Sequence, residues 1–102
     1  MSRRRQGPER LPPPPISYYV IGVEVHASAR KHGIADEDTI HAAEQFMVAY
    51  QLDNNDGPRK ELRLGPDRAG NLLEVVVLLL DDGRELIIHS MRMRPTYLDL
   101  LP

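Results

Sequence analysis

A continuous apolar run at residues 72–80 constrains the fold more than any other part of the sequence. Eight of these nine residues are leucine or valine, and Glu74 is the one polar exception. The valines and the short length favour a central strand buried on both faces over a helix. A glutamate in such a strand is costly to bury alone, so we expect Glu74 at an exposed end or beside a basic partner.

Further strands and turns surround this run. β-Branched and aromatic residues predict a first strand at residues 16–25, and later strands are predicted at 47–52, 59–64 and 85–93. Turn-forming clusters separate the last four strands at residues 53–58, 65–70 and 82–83. Because short turns join these four strands, they are expected to run antiparallel.

Helices are predicted on both sides of the later strands. Residues 26–32 predict a short helix that ends at Gly33, and a second helix is expected from an N-cap at Asp36 to about residue 45. Pro95 begins a short terminal helix at residues 95–101. The predicted fold class is α+β: a small twisted, mostly antiparallel sheet of about five strands, with two N-terminal helices packed on one face and a short C-terminal helix.

The 102 residues suffice for one domain, which we place at residues 16–102. Residues 1–15 predict a disordered, basic, proline-rich arm with four arginines against one glutamate. Such an arm could contact phosphates or dock on a partner, or it could be a solvated tail. The whole chain has a formal net charge of −2, so the domain is mildly acidic and poorly suited to non-specific nucleic-acid binding.

The dipeptide Asp82-Gly83 is typical of a two-residue hairpin turn, and it sets the register of the last two strands. That turn places Val76 opposite His89, and it makes Glu74 a diagonal neighbour of His89 on the same sheet face. A three-residue turn would instead bring Glu74 near Arg92. The resulting pair of Glu74 with His89 or with Arg92 could be structural, or its carboxylate could belong to a functional site.

Three segments, in order, resemble one protein family. Residues 30–34 read Arg-Lys-His-Gly-Ile, residues 65–76 combine a Gly-Pro-Asp turn with the start of the apolar run, and residues 88–94 are followed by Tyr97. Together they resemble BrnT-like toxins, which are small RelE-like ribonucleases of type II toxin–antitoxin systems. The resemblance covers about residues 20–98. The brief, leucine-rich C-terminus after Pro95 and the acidic domain depart from the family pattern.

The resemblance implies a metal-independent endoribonuclease in which the RNA 2′-hydroxyl attacks the neighbouring phosphate. Its implied catalytic residues are Lys31, His32, Glu74, Arg92 and Tyr97, and its implied substrate-binding residues are Arg30 and Arg94. Lys31 and Arg92 would stabilise phosphate charge, and His32 would be the acid or base. Glu74 or Tyr97 would position the substrate. The alternative for Lys31 and His32 is a solvated helix end.

The resemblance also implies partners: a cognate antitoxin protein, expected to bind DNA, and an RNA substrate if the chain is active. The alternative function is a non-catalytic interaction module of the same fold that binds a partner protein.

No cofactor, metal or membrane association is expected. The chain has no cysteine, which excludes disulfides and cysteine-ligated zinc, and its four histidines lie at spacings that match no metal-ligand pattern. No apolar stretch is long enough to span a membrane. Glu24 and Gly22 interrupt the one segment that could resemble a signal peptide, so a cytoplasmic protein is expected.

Overall fold

A computed structural model describes residues 22–52 and 56–102 of the chain. In chain order the strands are β1 (Val23–Val25), β2 (Val48–Leu52), β3 (Arg59–Pro66), β4 (Leu72–Leu79) and β5 (Glu85–Arg92). The helical segments are a 3₁₀ turn (Ala27–Arg30), the α-helix α1 (Asp36–Glu44) and a C-terminal 3₁₀ helix (Pro95–Leu100). The fold is therefore α+β, built on one mixed five-stranded sheet.

The strands lie in the order β1-β5-β4-β3-β2. Strands β2 to β5 pair antiparallel with one another in sequence, which confirms the arrangement predicted from the short turns. Strand β1 pairs parallel with β5 at one edge, and α1 then carries the chain to β2 at the other edge. Of the first strand predicted at residues 16–25, residues 16–21 lie outside the described residues, as does the predicted arm at residues 1–15.

The helical segments differ from the prediction in two respects. Residues 26–32 contain one 3₁₀ turn of four residues rather than an α-helix, and Gly33 has the left-handed conformation expected after it, with a φ of 77°. The N-cap of α1 is Ala35, not Asp36, and no side chain caps this end. Asp36 is the first helical residue, where its carboxylate binds Arg30 instead. Within the described residues, one α-helix rather than two packs on the sheet.

The core lies between α1 and one side of the sheet, which we call the helix face. Side chains with no solvent exposure from α1, the 3₁₀ turn, β4 and β5 form it: Ala29, Ala42, Ala43, Leu73, Val75, Val77 and Ile87. A buried hydrogen bond of 2.7 Å between the hydroxyls of Thr39 and Ser90 links α1 to β5. This bond satisfies two polar groups that would otherwise be costly inside the core.

The β4–β5 hairpin reaches the predicted register by an unpredicted route. Its loop has three residues, not two, because Leu80 pairs with Arg84 through a 2.9 Å bond from the Leu80 N–H to the Arg84 carbonyl. A bulge at Ile88, between the Val77–Ile87 and Val76–His89 pairs, then shifts the register by one residue. Val76 therefore lies opposite His89 and Glu74 opposite Met91, as predicted. We call this side of the sheet, opposite to the helix face, the far face.

We expect Gly65→Ala to destabilise the fold by about 1–3 kcal/mol, because α1 crosses β3 directly above this glycine. An added Cβ would collide with the Ala42 carbonyl oxygen and lie 2.9 Å from the Phe46 Cα, and neither backbone atom can move independently. Chemical denaturation measures the loss. The matched control is Gly22→Ala, where an added Cβ meets no atom within 4 Å. Equal stability of the two variants would contradict this packing.

Candidate functional site

Glu74 is a buried carboxylate in the middle of the sheet. Glu74 lies on the far face of β4, between Leu64 on β3 and Met91 on β5, and only 1% of its surface is exposed. One carboxylate oxygen, Oε2, lies 2.9 Å from His89 Nε2 and 2.7 Å from Arg94 Nη2. The other, Oε1, accepts from the backbone N–H of Arg94 at 3.0 Å and from its Nε at 3.1 Å. The expected basic partner is therefore present twice.

These contacts keep Glu74 ionised. Burial by itself raises the pKa of a carboxyl group, but the hydrogen bonds from Arg94 and His89 outweigh it and hold the pKa of Glu74 below its usual value. An ionised carboxylate is an acceptor only, so His89 must present an N–H at Nε2. In the neutral ring this tautomer leaves Nδ1 unprotonated, and no residue among those described bonds to Nδ1.

Arg94 reaches Glu74 because the chain changes direction just after β5. The Met93 N–H still bonds to the Leu72 carbonyl at 3.0 Å, as the last rung beside β4. Pro95 then begins the C-terminal 3₁₀ helix, and the Tyr97 N–H bonds back to the Arg94 carbonyl at 3.0 Å. This turn places the Tyr97 ring under the Arg94 guanidinium, 5.8 Å from the ring centroid. Half of the Arg94 side chain remains exposed.

His32 also lies beside His89, although it belongs to the segment between the 3₁₀ turn and α1. The Ser28 hydroxyl donates to the Ile88 carbonyl on β5 at 2.8 Å, which fixes the 3₁₀ turn beside that strand. The following residues carry the His32 ring to an edge-on contact with the His89 ring, with 5.7 Å between the ring centroids. We call Glu74, His89, Arg94, His32 and Tyr97 the Glu74 cluster.

A cavity of about 320 Å³ opens beside the cluster on the far face. Its walls combine polar and apolar side chains from β2 to β5 and from the C-terminal segment: Leu52, Lys60, Glu74, Val76, Ile88, His89, Arg94 and Tyr97. Charged and titratable groups therefore converge on one concave surface, which is the usual character of a ligand or active site.

The structure brings four of the residues singled out in the sequence into this cluster and leaves three outside it. His32, Glu74, Arg94 and Tyr97 are together, as described above. Arg92 pairs with Leu73, so alternation directs it to the helix face. Arg30 binds Asp36 through hydrogen bonds of 3.0 and 2.9 Å. Lys31 caps the 3₁₀ turn as an exposed residue and does not line the cavity.

Two residues of the site were not among those singled out. His89 was expected beside Glu74, and the hairpin register was the signal that could have marked it as functional. Lys60 lines the cavity from β3, where it pairs with Leu78 on the far face. One lysine in an alternating strand carries no signal of its own, because the register with β4 decides which residues it joins.

The described residues include no group of three or more His, Asp or Glu side chains placed to hold a metal ion. None of the helices in the described part of the chain is long and apolar enough to cross a membrane. Comparison with known proteins gives no relative: no family model matches the sequence, no curated protein matches it, and no solved structure matches the chain. The function is therefore argued from the geometry of the Glu74 cluster.

We expect Glu74→Gln to lower the free energy of unfolding at pH 7 by about 1–3 kcal/mol, since the amide cannot serve both partners as the carboxylate does. The folded-state pKa of Glu74 lies below its unfolded value. Its contribution is therefore complete above the unfolded pKa, about 4.3, and is lost as the pH falls through the folded pKa. The stability gap between wild type and variant should shrink in that window, measured by denaturation at several pH values.

The control is Glu24→Gln, which changes an exposed carboxylate at the edge strand and should leave stability nearly unchanged. A gap between wild type and Glu74→Gln that stays constant from pH 7 to pH 3 would show that Glu74 is not held ionised.

Proposed function

We propose that this protein is a cytoplasmic, metal-independent endoribonuclease of the RelE-like toxin class, in a type II toxin–antitoxin system. The observation that carries the proposal is the Glu74 cluster, in which one imidazole and one guanidinium bind a buried carboxylate and a second imidazole packs against the first. RNA cleavage through the 2′-hydroxyl needs a base, an acid and fixed positive charge at the phosphate. His89 and Arg94 line one cavity, and His32 contacts His89 beside it. The sequence resemblance to BrnT-like toxins supports the same activity.

His89 suits the role of the base. Glu74 binds its Nε2 at 2.9 Å and so leaves Nδ1 free to take the proton of the 2′-hydroxyl. The 2′-oxygen then forms a bond to phosphorus, and the bond from phosphorus to the 5′-oxygen breaks. His32, whose ring is exposed beside His89, gives its proton to that leaving oxygen. The products are a 2′,3′-cyclic phosphate and a 5′-hydroxyl, so atoms and protons balance without a further reactant.

Arg94 supplies the fixed positive charge. Its Nε and Nη2 hold Glu74, which keeps the guanidinium plane in one orientation at the cavity wall. Nη1 is not used by Glu74, and half of the side chain is exposed, so this nitrogen can donate to a phosphate oxygen. In this proposal Arg94 takes the role expected of Arg92, and Glu74 positions His89 and Arg94 rather than touching RNA.

A second function is favoured by a different surface. Phe46, Met47 and Tyr50 are exposed by 42%, 52% and 38%, and they lie at or beside β2, an edge strand among the described residues. Phe46 lies against Arg63 on the helix face and Tyr50 is opposite Leu62 on the far face, so the exposed apolar side chains flank the edge on both sides. Open edges and exposed apolar side chains are features of partner-binding surfaces. A non-catalytic module would use this surface for its partner protein. In the toxin proposal, the same surface receives the antitoxin, a protein expected to bind DNA as well.

Purified protein should cleave single-stranded RNA in the presence of a chelator and leave 2′,3′-cyclic phosphate ends. His89→Gln keeps an N–H donor for Glu74 but has no base, and His32→Ala removes the acid. Each variant should cut about 10²–10⁴-fold more slowly. A substrate with a 2′-O-methyl group at the cleavage site should not be cut.

The control variant is Arg68→Gln, which changes an exposed arginine in the loop between β3 and β4. This arginine pairs with Asp38 on α1 and does not line the cavity. It should cleave like the wild type. Cleavage of the 2′-O-methyl substrate, or equal rates for His89→Gln and wild type, would reject this mechanism. No cleavage by well-folded protein, together with capture of a folded partner at the β2 edge that Tyr50→Arg abolishes, would establish the non-catalytic module.

A further inference from the structure

The cavity beside the Glu74 cluster has two chemically different parts. One part is polar and is lined by Glu74, His89 and Arg94. The other part is apolar and is lined by Leu52, Val76 and Ile88. A phosphate is strongly hydrated and would lose that hydration against aliphatic side chains without compensation. A flat ring with apolar faces and a polar edge loses little there. The shape and chemistry next to the proposed phosphate position therefore suit a nucleobase.

Lys60 lies at the far end of this apolar part. It pairs with Leu78 on β4, four residues along that strand from Glu74, which corresponds to about 13 Å. That span is on the scale of one nucleotide. Lys60 is half-buried, and no ion pair or hydrogen bond joins its side chain to another residue among those described. An ammonium group is a donor only, so the polar edge that meets it must present an acceptor.

We propose that the cavity binds the nucleobase next to the scissile phosphate, and that Lys60 selects bases with a carbonyl oxygen at that edge. Guanine and uracil present such an oxygen, and adenine presents an amino group instead. This inference rests on the proposed ribonuclease function, and it adds Lys60 as the residue that determines specificity. A charged hydrogen bond that is made to one base and lost with another corresponds to about a tenfold preference.

The experiment has two readouts. The first readout is the rate at which wild type and variants cut three RNAs. These RNAs are identical except for one nucleotide beside the cleavage site, which is guanine, uracil or adenine. Wild type should prefer guanine and uracil about tenfold over adenine. Lys60→Met should cut all three at similar rates, and Lys60→Glu, which accepts instead of donating, should favour adenine. Arg59→Glu makes the same charge change one residue earlier, on the helix face, and should keep the wild-type preference.

In the second readout, guanosine, uridine and adenosine 3′-monophosphates are titrated into the protein, and binding is followed by NMR chemical shifts. Guanosine and uridine monophosphates should bind wild type about tenfold more tightly than adenosine monophosphate, and Lys60→Met should abolish this difference.

The outcomes separate the two proposals. If wild type cleaves RNA but the Lys60 variants keep its base preference, the base site is wrong and the ribonuclease stands. If no RNA is cut but the nucleotides bind with the Lys60-dependent order given above, the ribonuclease is wrong and the base site stands. If adenosine monophosphate binds as tightly as the others, or no nucleotide binds, the base site is overturned.

Discussion

The ionised carboxylate of Glu74 is the interaction on which the rest of the site depends. A charge in the middle of an apolar strand is tolerated only with partners, and the sheet has to deliver them to one place. His89 comes from the neighbouring strand through the register of the hairpin. Arg94 is the second residue after β5, where the hydrogen bond from the Met93 N–H to the Leu72 carbonyl still holds the chain beside β4. The requirement to satisfy one buried group therefore fixes two basic side chains at the surface.

A second buried charge, on the helix face, shows the opposite arrangement of charges in the same protein. Arg63 is 6% exposed, binds Glu61 at 2.7 Å and Glu85 at 2.9 Å, and lies over the Phe46 ring. It also donates to the Ala43 carbonyl at the end of α1. Here the buried group is the cation, and carboxylates and a backbone carbonyl hold it beside a cavity of about 370 Å³ that Arg63 and Glu85 line. At Glu74 the buried group is the anion, and its partners His89 and Arg94 line the cavity on the far face.

The strands and the partner of Glu74 could be predicted from the sequence because each depends on local patterns. The apolar run at residues 72–80 fixes a central strand, and a glutamate within it requires a basic neighbour. The register was predicted correctly although the turn was not, because the three-residue loop and the bulge at Ile88 compensate each other. Neither of these features has a distinctive sequence signature, since the bulged residue is an ordinary isoleucine.

The composition of the site was harder to predict. Alternation along a strand assigns Arg92 to a face, but Arg94 lies past the strand end, where the direction of the chain depends on Pro95 and the helix after it. His32 reaches His89 only because the 3₁₀ turn is tied to β5 by Ser28, a contact between residues sixty positions apart. Lys60 joins the cavity through pairing with β4. Each of these placements follows from tertiary contacts rather than from local propensity.

The hydrogen bond between Glu74 and His89 is the most direct point at which to test this account, because it sets the imidazole tautomer. Nitrogen-15 NMR of the histidine side chains distinguishes a ring protonated at Nε2 from one protonated at Nδ1. In its neutral form the His89 ring should be the Nε2–H tautomer, with its proton protected from exchange, and Glu74→Gln should lose that protection. An Nδ1–H ring, or a His89 signal that Glu74→Gln leaves unchanged, would contradict it.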